Sequence, residues 1–179
     1  MKKKKFIGKL ISIKYTDRET PYYGFVIDYN DDWTLMKYNY TDYEMDGYVI
    51  LRHKNIDGYR RSETERFREK IIKLKGQQST EKEIIPITDL KTILSYLTKK
   101  FGIFLFYLKS EKRCYVGKLS SLNSNALIID YMDPKGKWAK QMTFRPGDIR
   151  TIEFSTDYIN SLKLFSDSMK RKKRASPKI

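Results

Sequence analysis

Cysteine and histidine are nearly missing from this chain: Cys114 and His53 each stand alone. A single cysteine cannot close an intramolecular disulfide, which fits a reducing compartment. One histidine and one cysteine cannot assemble a zinc site. Long apolar runs are missing as well. The N-terminal apolar stretch is broken by Gly8 and Lys9 and stops at Lys14. That is too short and too polar for a signal peptide or a membrane span. There is no glycine-rich phosphate loop and no serine elbow. Cys114 falls in a predicted strand with alternating apolar neighbours and reads as a buried structural thiol rather than a nucleophile. Asp31 and Asp32 sit among turn formers and read as solvated. Together these absences argue for a cytoplasmic protein that is not an enzyme, uses no cofactor and has no membrane partner.

Charge and aromatic residues are plentiful. The 179 residues carry a formal net charge of +15, and 14 of them are tyrosine. Tyrosine at that level suits half-buried strand faces. The charge is uneven. Lys2–Lys5 supply four positives, and Lys170, Arg171, Lys172, Lys173, Arg174 and Lys178 supply six, leaving +5 for residues 6–169. Basic tails attract nucleic acid, anionic surfaces or acidic proteins without choosing among them.

The chain also repeats itself at a fixed offset of 93 residues, which pairs Gly24 with Gly117, Val26 with Leu119 and Asn30 with Asn123. The same register joins Leu35 to Ile128, Tyr38 to Tyr131, Arg52 to Arg145, Ile56 to Ile149 and Ser62 to Ser155. A repeat of this kind points to two copies of one small unit. Each copy reads as five short strands with tight turns. In the first they are 6–15, 22–29, 33–40, 48–52 and 56–60. In the second they are 101–108, 114–121, 126–131, 138–144 and 149–154. Ser62-Glu63-Thr64-Glu65 has the form of a capping box. The helix behind it carries Phe67, Ile71 and Leu74 at i, i+4 and i+7, an apolar stripe expected to face the core. A second helix is predicted over about 89–100, capped by Thr88, with Leu90, Ile93, Leu94 and Leu97 buried. A third follows Ser155 or Thr156, with Tyr158, Leu162 and Phe165 on one face. The resulting division is 1–76 as a first unit with its helix, 77–86 as a linker, 87–169 as a second unit with flanking helices, and 170–179 as a basic tail.

Gly24, Val26 and Asn30, followed by Trp33-Thr34-Leu35, have the spacing of the first motif of Sm-like proteins. Gly117, Leu119 and Asn123, followed by Ala126-Leu127-Ile128, repeat it. Phe144-Arg145-Pro146-Gly147-Asp148-Ile149 is similar to the family's second motif with one proline inserted, and Leu51-Arg52-His53-Lys54-Asn55-Ile56 is a looser version. The chain therefore resembles a tandem Sm-like protein. The resemblance implies two small five-stranded SH3-like barrels, mainly β with α, each followed by a helix. It also implies a ligand at the loop between the fourth and fifth strands. Arg52 and Arg145 occupy that loop in the two copies. With Lys54, Arg60, Arg61 and Arg150 they form a candidate phosphate-facing strip or a solvated rim. Trp33 and Trp138 are candidate base-stacking platforms or core covers. Lys170, Arg171, Lys172, Lys173 and Arg174 read as an electrostatic tether. The expected partner is nucleic acid, RNA before DNA; the alternative is a protein held at barrel edges and tyrosine-rich surfaces.

Overall fold

The computed structural model describes residues 6–78 and 84–175, with side chains as far as Arg171. Five strands open the chain: β1 (Leu10–Tyr15), β2 (Tyr22–Tyr29), β3 (Trp33–Thr41), β4 (Glu44–Arg52) and β5 (Ile56–Arg60). Helices α1 (Glu63–Leu74) and α2 (Leu90–Phe101) follow. Then come β6 (Phe104–Tyr107), β7 (Cys114–Leu122), β8 (Leu127–Met132), β9 (Trp138–Phe144), β10 (Thr151–Phe154) and α3 (Asp157–Ala175).

The two separate barrels expected from the sequence do not form. All ten strands make one antiparallel sheet in the order β5-β1-β2-β3-β4-β10-β6-β7-β8-β9. It is not closed, since β5 and β9 each have a single neighbour among the described residues. The join is β4 against β10, where Tyr48, Val49, Ile50 and Leu51 pair with Phe154, Glu153, Ile152 and Thr151. The physical reason lies in those residues. Two barrels standing apart would leave both strands as edges, with unpaired backbone groups beside Val49, Ile50, Ile152 and Phe154. Joining them satisfies the backbone and buries the side chains. The main apolar core accordingly draws on both halves, with Trp33, Leu35 and Ile50 packed in one cluster with Ile93, Phe104 and Ile152. Ile85, within the stretch read as a linker, is buried in that cluster too.

The repeat is visible in the register. Within β2–β3, Gly24 faces Tyr38 and Val26 faces Met36; within β7–β8, Gly117 faces Tyr131 and Leu119 faces Ile129. Both pairs slip at the same place, between Val26 and Asp28 and between Leu119 and Ser121. The glycines have a steric cause. A Cβ on Gly24 would lie 2.3 Å from Lys37 O, and one on Gly117 would lie 2.3 Å from Asp130 O. The turns match as well. Asn30 Oδ1 accepts from the Trp33 amide at 2.8 Å, and Asn123 Oδ1 accepts from the Ala126 amide at 2.8 Å.

Helix α1 departs from expectation. Two of its three stripe residues face outward, Phe67 at 58% exposed and Leu74 at 79%, while Ile71 is half-buried. The buried face holds Glu65, Glu69 and Ile72. Glu65 accepts from Ser12 Oγ at 2.8 Å and, closing the capping box, from the Ser62 amide at 2.6 Å. Glu69 accepts from the Leu10 amide at 2.9 Å and from Arg61 at 2.5 Å. These carboxylates satisfy polar groups at the start of β1, and burying them turns the stripe away. Helix α2 buries Ile93, Leu94 and Leu97 as expected, but Asp89 rather than Thr88 caps it, accepting from the Thr92 amide. Among the described residues no helix is long and apolar enough to cross a membrane.

Candidate functional site

Arg52 ends β4, and its guanidinium lies 5.3 Å from the Trp33 ring. Its Nη1 donates to Pro146 O at 2.9 Å. Pro146 belongs to the turn after β9, the repeat copy of the turn after β4. The two equivalent loops therefore meet, and Arg52, Lys54 and Arg145 share one end of the sheet. Lys54 and Arg145 are exposed. His53 shapes the same end, with Nδ1 2.6 Å from Asp31 O and Nε2 2.8 Å from Thr34 Oγ1.

The other residues of the strip are dispersed. Arg60 is exposed on β5, an edge strand of the sheet. Arg61 is bound to Glu69 and to Leu10 O. Arg150 is 1% exposed and sits inside the molecule, its Nη2 3.4 Å from Asp17. Trp33 is 2% exposed and belongs to the core. Trp138 is half-buried, with Lys118 Nζ 5.1 Å and Lys170 Nζ 5.8 Å from its ring. Lys170 and Arg171 are exposed near the end of α3. The side chains of Lys172, Lys173 and Arg174 lie outside the described residues.

A second site lies where the two halves join. A cavity of about 240 Å³ is lined by Arg18, Tyr22 and Tyr38 from the first half and by Tyr107 and Glu153 from the second. Arg18, in the turn after β1, is its structural centre. Its guanidinium carbon lies 5.5 Å from the ring centres of Tyr15 and Tyr22 and 5.4 Å from that of Tyr107. It donates to Tyr22 Oη and, at 3.0 Å, to Leu108 O, so one side chain ties the halves together. Tyr38 stacks at a tilt on Tyr22, with ring centres 5.7 Å apart, and Tyr40 stands edge-on to Tyr38 at 5.9 Å.

Electrostatics follow from burial. Glu153, on β10, is 8% exposed. Loss of solvent pushes its carboxyl up to about 7; Arg18 opposes the rise and Asp46 adds to it. Burial likewise raises Tyr22 to about 12, and lifts Tyr15, Tyr38 and Tyr107 above the usual tyrosine range. Cys114 is pushed up by burial and by the nearby Glu153 charge. A thiol so placed is a poor nucleophile. Among the described residues no three His, Cys, Asp or Glu side chains are grouped to hold a metal ion.

Sequence reasoning missed this pocket. Its members come from four segments, 18–22, 38–40, 107–111 and 153, and the β4–β10 join brings the first two against the last two. The one available signal was the density of tyrosine at positions 15, 22, 38 and 40, which strand propensity accounted for equally well.

Comparison with family models, with curated proteins and with solved structures gives no match.

Proposed function

We propose that this chain is a non-enzymatic nucleic-acid-binding protein of the cytoplasm that takes RNA in preference to DNA. The observation that carries the reading is the Arg52–Pro146 hydrogen bond of 2.9 Å. It brings the two equivalent loops together, and Arg52, Lys54 and Arg145 beside them would address phosphates. Contacts of that kind position a chain; selectivity then comes from bases reached by side chains. The net charge of +15 and the cations from Lys170 onward supply sequence-independent attraction. Arg61 and Arg150 are left out of the contact surface, being engaged or enclosed. The Sm-like relationship is part of this proposal and rests on motif spacing.

The test is fluorescence anisotropy with single-stranded RNA and duplex DNA at two salt concentrations. Removing residues 170–179 is expected to weaken binding to every sequence alike and to flatten its salt dependence. Changing Arg52 and Arg145 together to Ala is expected to cost more for single-stranded RNA than for duplex DNA. Absence of binding to either at low salt would overturn the reading.

One observation favours a second reading, a protein-interaction module. The outward stripe of α1 joins Tyr43, whose ring centre is 6.3 Å from that of Phe67. Co-purification of a stoichiometric protein, resistant to nuclease and lost in Phe67→Ser, would favour it.

A further inference from the structure

We propose that the cavity between the two halves is a base pocket that accepts a single guanine, as part of an RNA strand. The proposal rests on the nucleic-acid reading and adds a site, a ligand and a selectivity to it.

The cavity is built for a planar, donor-bearing guest. Aromatic surface is supplied by Tyr22, Tyr38 and Tyr40, and Tyr40 is 68% exposed at the edge. The faces of Tyr15, Tyr22 and Tyr107 already hold the Arg18 guanidinium. A neutral planar ring can stack on the tyrosine surface that Arg18 leaves open. At about 240 Å³ the cavity falls below the range of about 300–1,000 Å³ typical of sites for drug-sized ligands. It suits one ring system, with sugar and phosphate outside. The turn after β6 lies at that boundary: Glu111 lines the cavity, and Lys112 and Arg113 next to it are exposed.

Glu153 chooses among the bases. Glu153 is 8% exposed and lines the cavity. A ligand that fills the cavity takes the place of solvent there and must bring donors to that carboxyl. A carboxylate has two acceptor oxygens side by side. Guanine alone among the four RNA bases carries two adjacent donors on one edge, a ring N–H and an exocyclic amine. Its ring nitrogen and carbonyl oxygen on the other edge are acceptors suited to Arg18 or a tyrosine hydroxyl. Adenine and cytosine each bring one amine, and uracil one ring N–H.

The same chemistry could arrive as a free guanine nucleotide, so the experiment has two arms, both on the full chain. In the first, guanosine, inosine and adenosine are followed by saturation-transfer NMR. Guanosine should bind most tightly, and inosine, which lacks the amine, roughly tenfold more weakly. Glu153→Gln should abolish the difference between guanosine and inosine. Tyr40→Ala removes an exposed ring at little risk to folding and should weaken guanosine by roughly tenfold. Equal signals for all three nucleosides, or none, would overturn the pocket assignment. In the second arm, uridine-rich 12-mers carrying one guanine, inosine or adenine are compared by anisotropy. A guanine preference lost in Glu153→Gln supports the pocket as an RNA site. Binding of every 12-mer with equal affinity would remove the pocket and leave the nucleic-acid reading standing. Guanosine binding without any 12-mer binding would overturn both the RNA assignment and that reading, leaving a nucleotide site.

Discussion

Glu153 shows how far a residue's behaviour can depend on what the chain places around it. Its carboxyl is held near pH 7 because burial disfavours the charge. Arg18 opposes, Asp46 reinforces, and the rings of Tyr22, Tyr38 and Tyr107 offer no solvent. A carboxyl raised from 4.5 to about 7 binds its proton more tightly in the folded chain than in the unfolded one. Its contribution to stability is therefore full below about pH 4.5 and is lost as pH rises through 7. Thermal unfolding between pH 5 and 8 should show this loss, on the order of 2 kcal/mol, and Glu153→Gln should remove it. An unchanged pH profile in that variant would show that another group sets it. Glu69 works in the opposite direction. Burial opposes its charge, but Arg61, Lys73 and the Leu10 amide outweigh that and hold it down to about 2. Its contribution is present above pH 4.5 and fades toward pH 2. Gly24 and Gly117 form a third test. Replacing either with Val forces a side chain into a backbone carbonyl, and each should cost at least about 1–3 kcal/mol. These glycines stood out in the sequence because they repeat. Glu153 and Arg18 did not, because their burial depends on partners some 90 or more residues away, such as Leu108.

Helix α1 shows what periodicity contains and what it omits. Phe67, Ile71 and Leu74 recur at helical spacing, and the helix is there. Which side faces inward was decided by Glu65 and Glu69, whose carboxylates meet the Ser12 hydroxyl and the Leu10 amide. No count of apolar residues reveals that a strand start needs acceptors. Phe67→Ser and Leu74→Ser should each change stability by less than about 0.5 kcal/mol, as surface substitutions do. Glu69→Ala should cost about 2–4 kcal/mol, since it strands a buried amide and the Arg61 charge. Urea denaturation would measure both, and the reverse order would mean that the helix is turned the other way. The strands were more legible. β2, β5 and β9 begin and end where alternation and turn residues place them. The offset between the copies was legible too, and Gly24 and Gly117 hold equivalent places in β2 and β7.

At the scale of the whole molecule, the duplicated unit was readable and its assembly was not. Each half contributes five strands in the same cyclic arrangement, β5-β1-β2-β3-β4 and β10-β6-β7-β8-β9. What joins them is a pairing between Tyr48–Leu51 and Thr151–Phe154, a relation between two edges that neither copy expresses alone. Residues 1–78 expressed by themselves should present β4 as an open apolar edge and elute as oligomers in size-exclusion chromatography. A folded monomer would show that the edge needs no cover. The join has a further consequence in terms of mass action. Two separate chains meeting edge to edge would come apart on dilution, with an unfolding temperature that drifts with concentration. Here the partner edge is supplied by the same chain, so its local concentration is set by the connecting segment and not by the amount of protein. The pocket at that join, with one wall from each half, should be as complete in a dilute solution as in a crowded one.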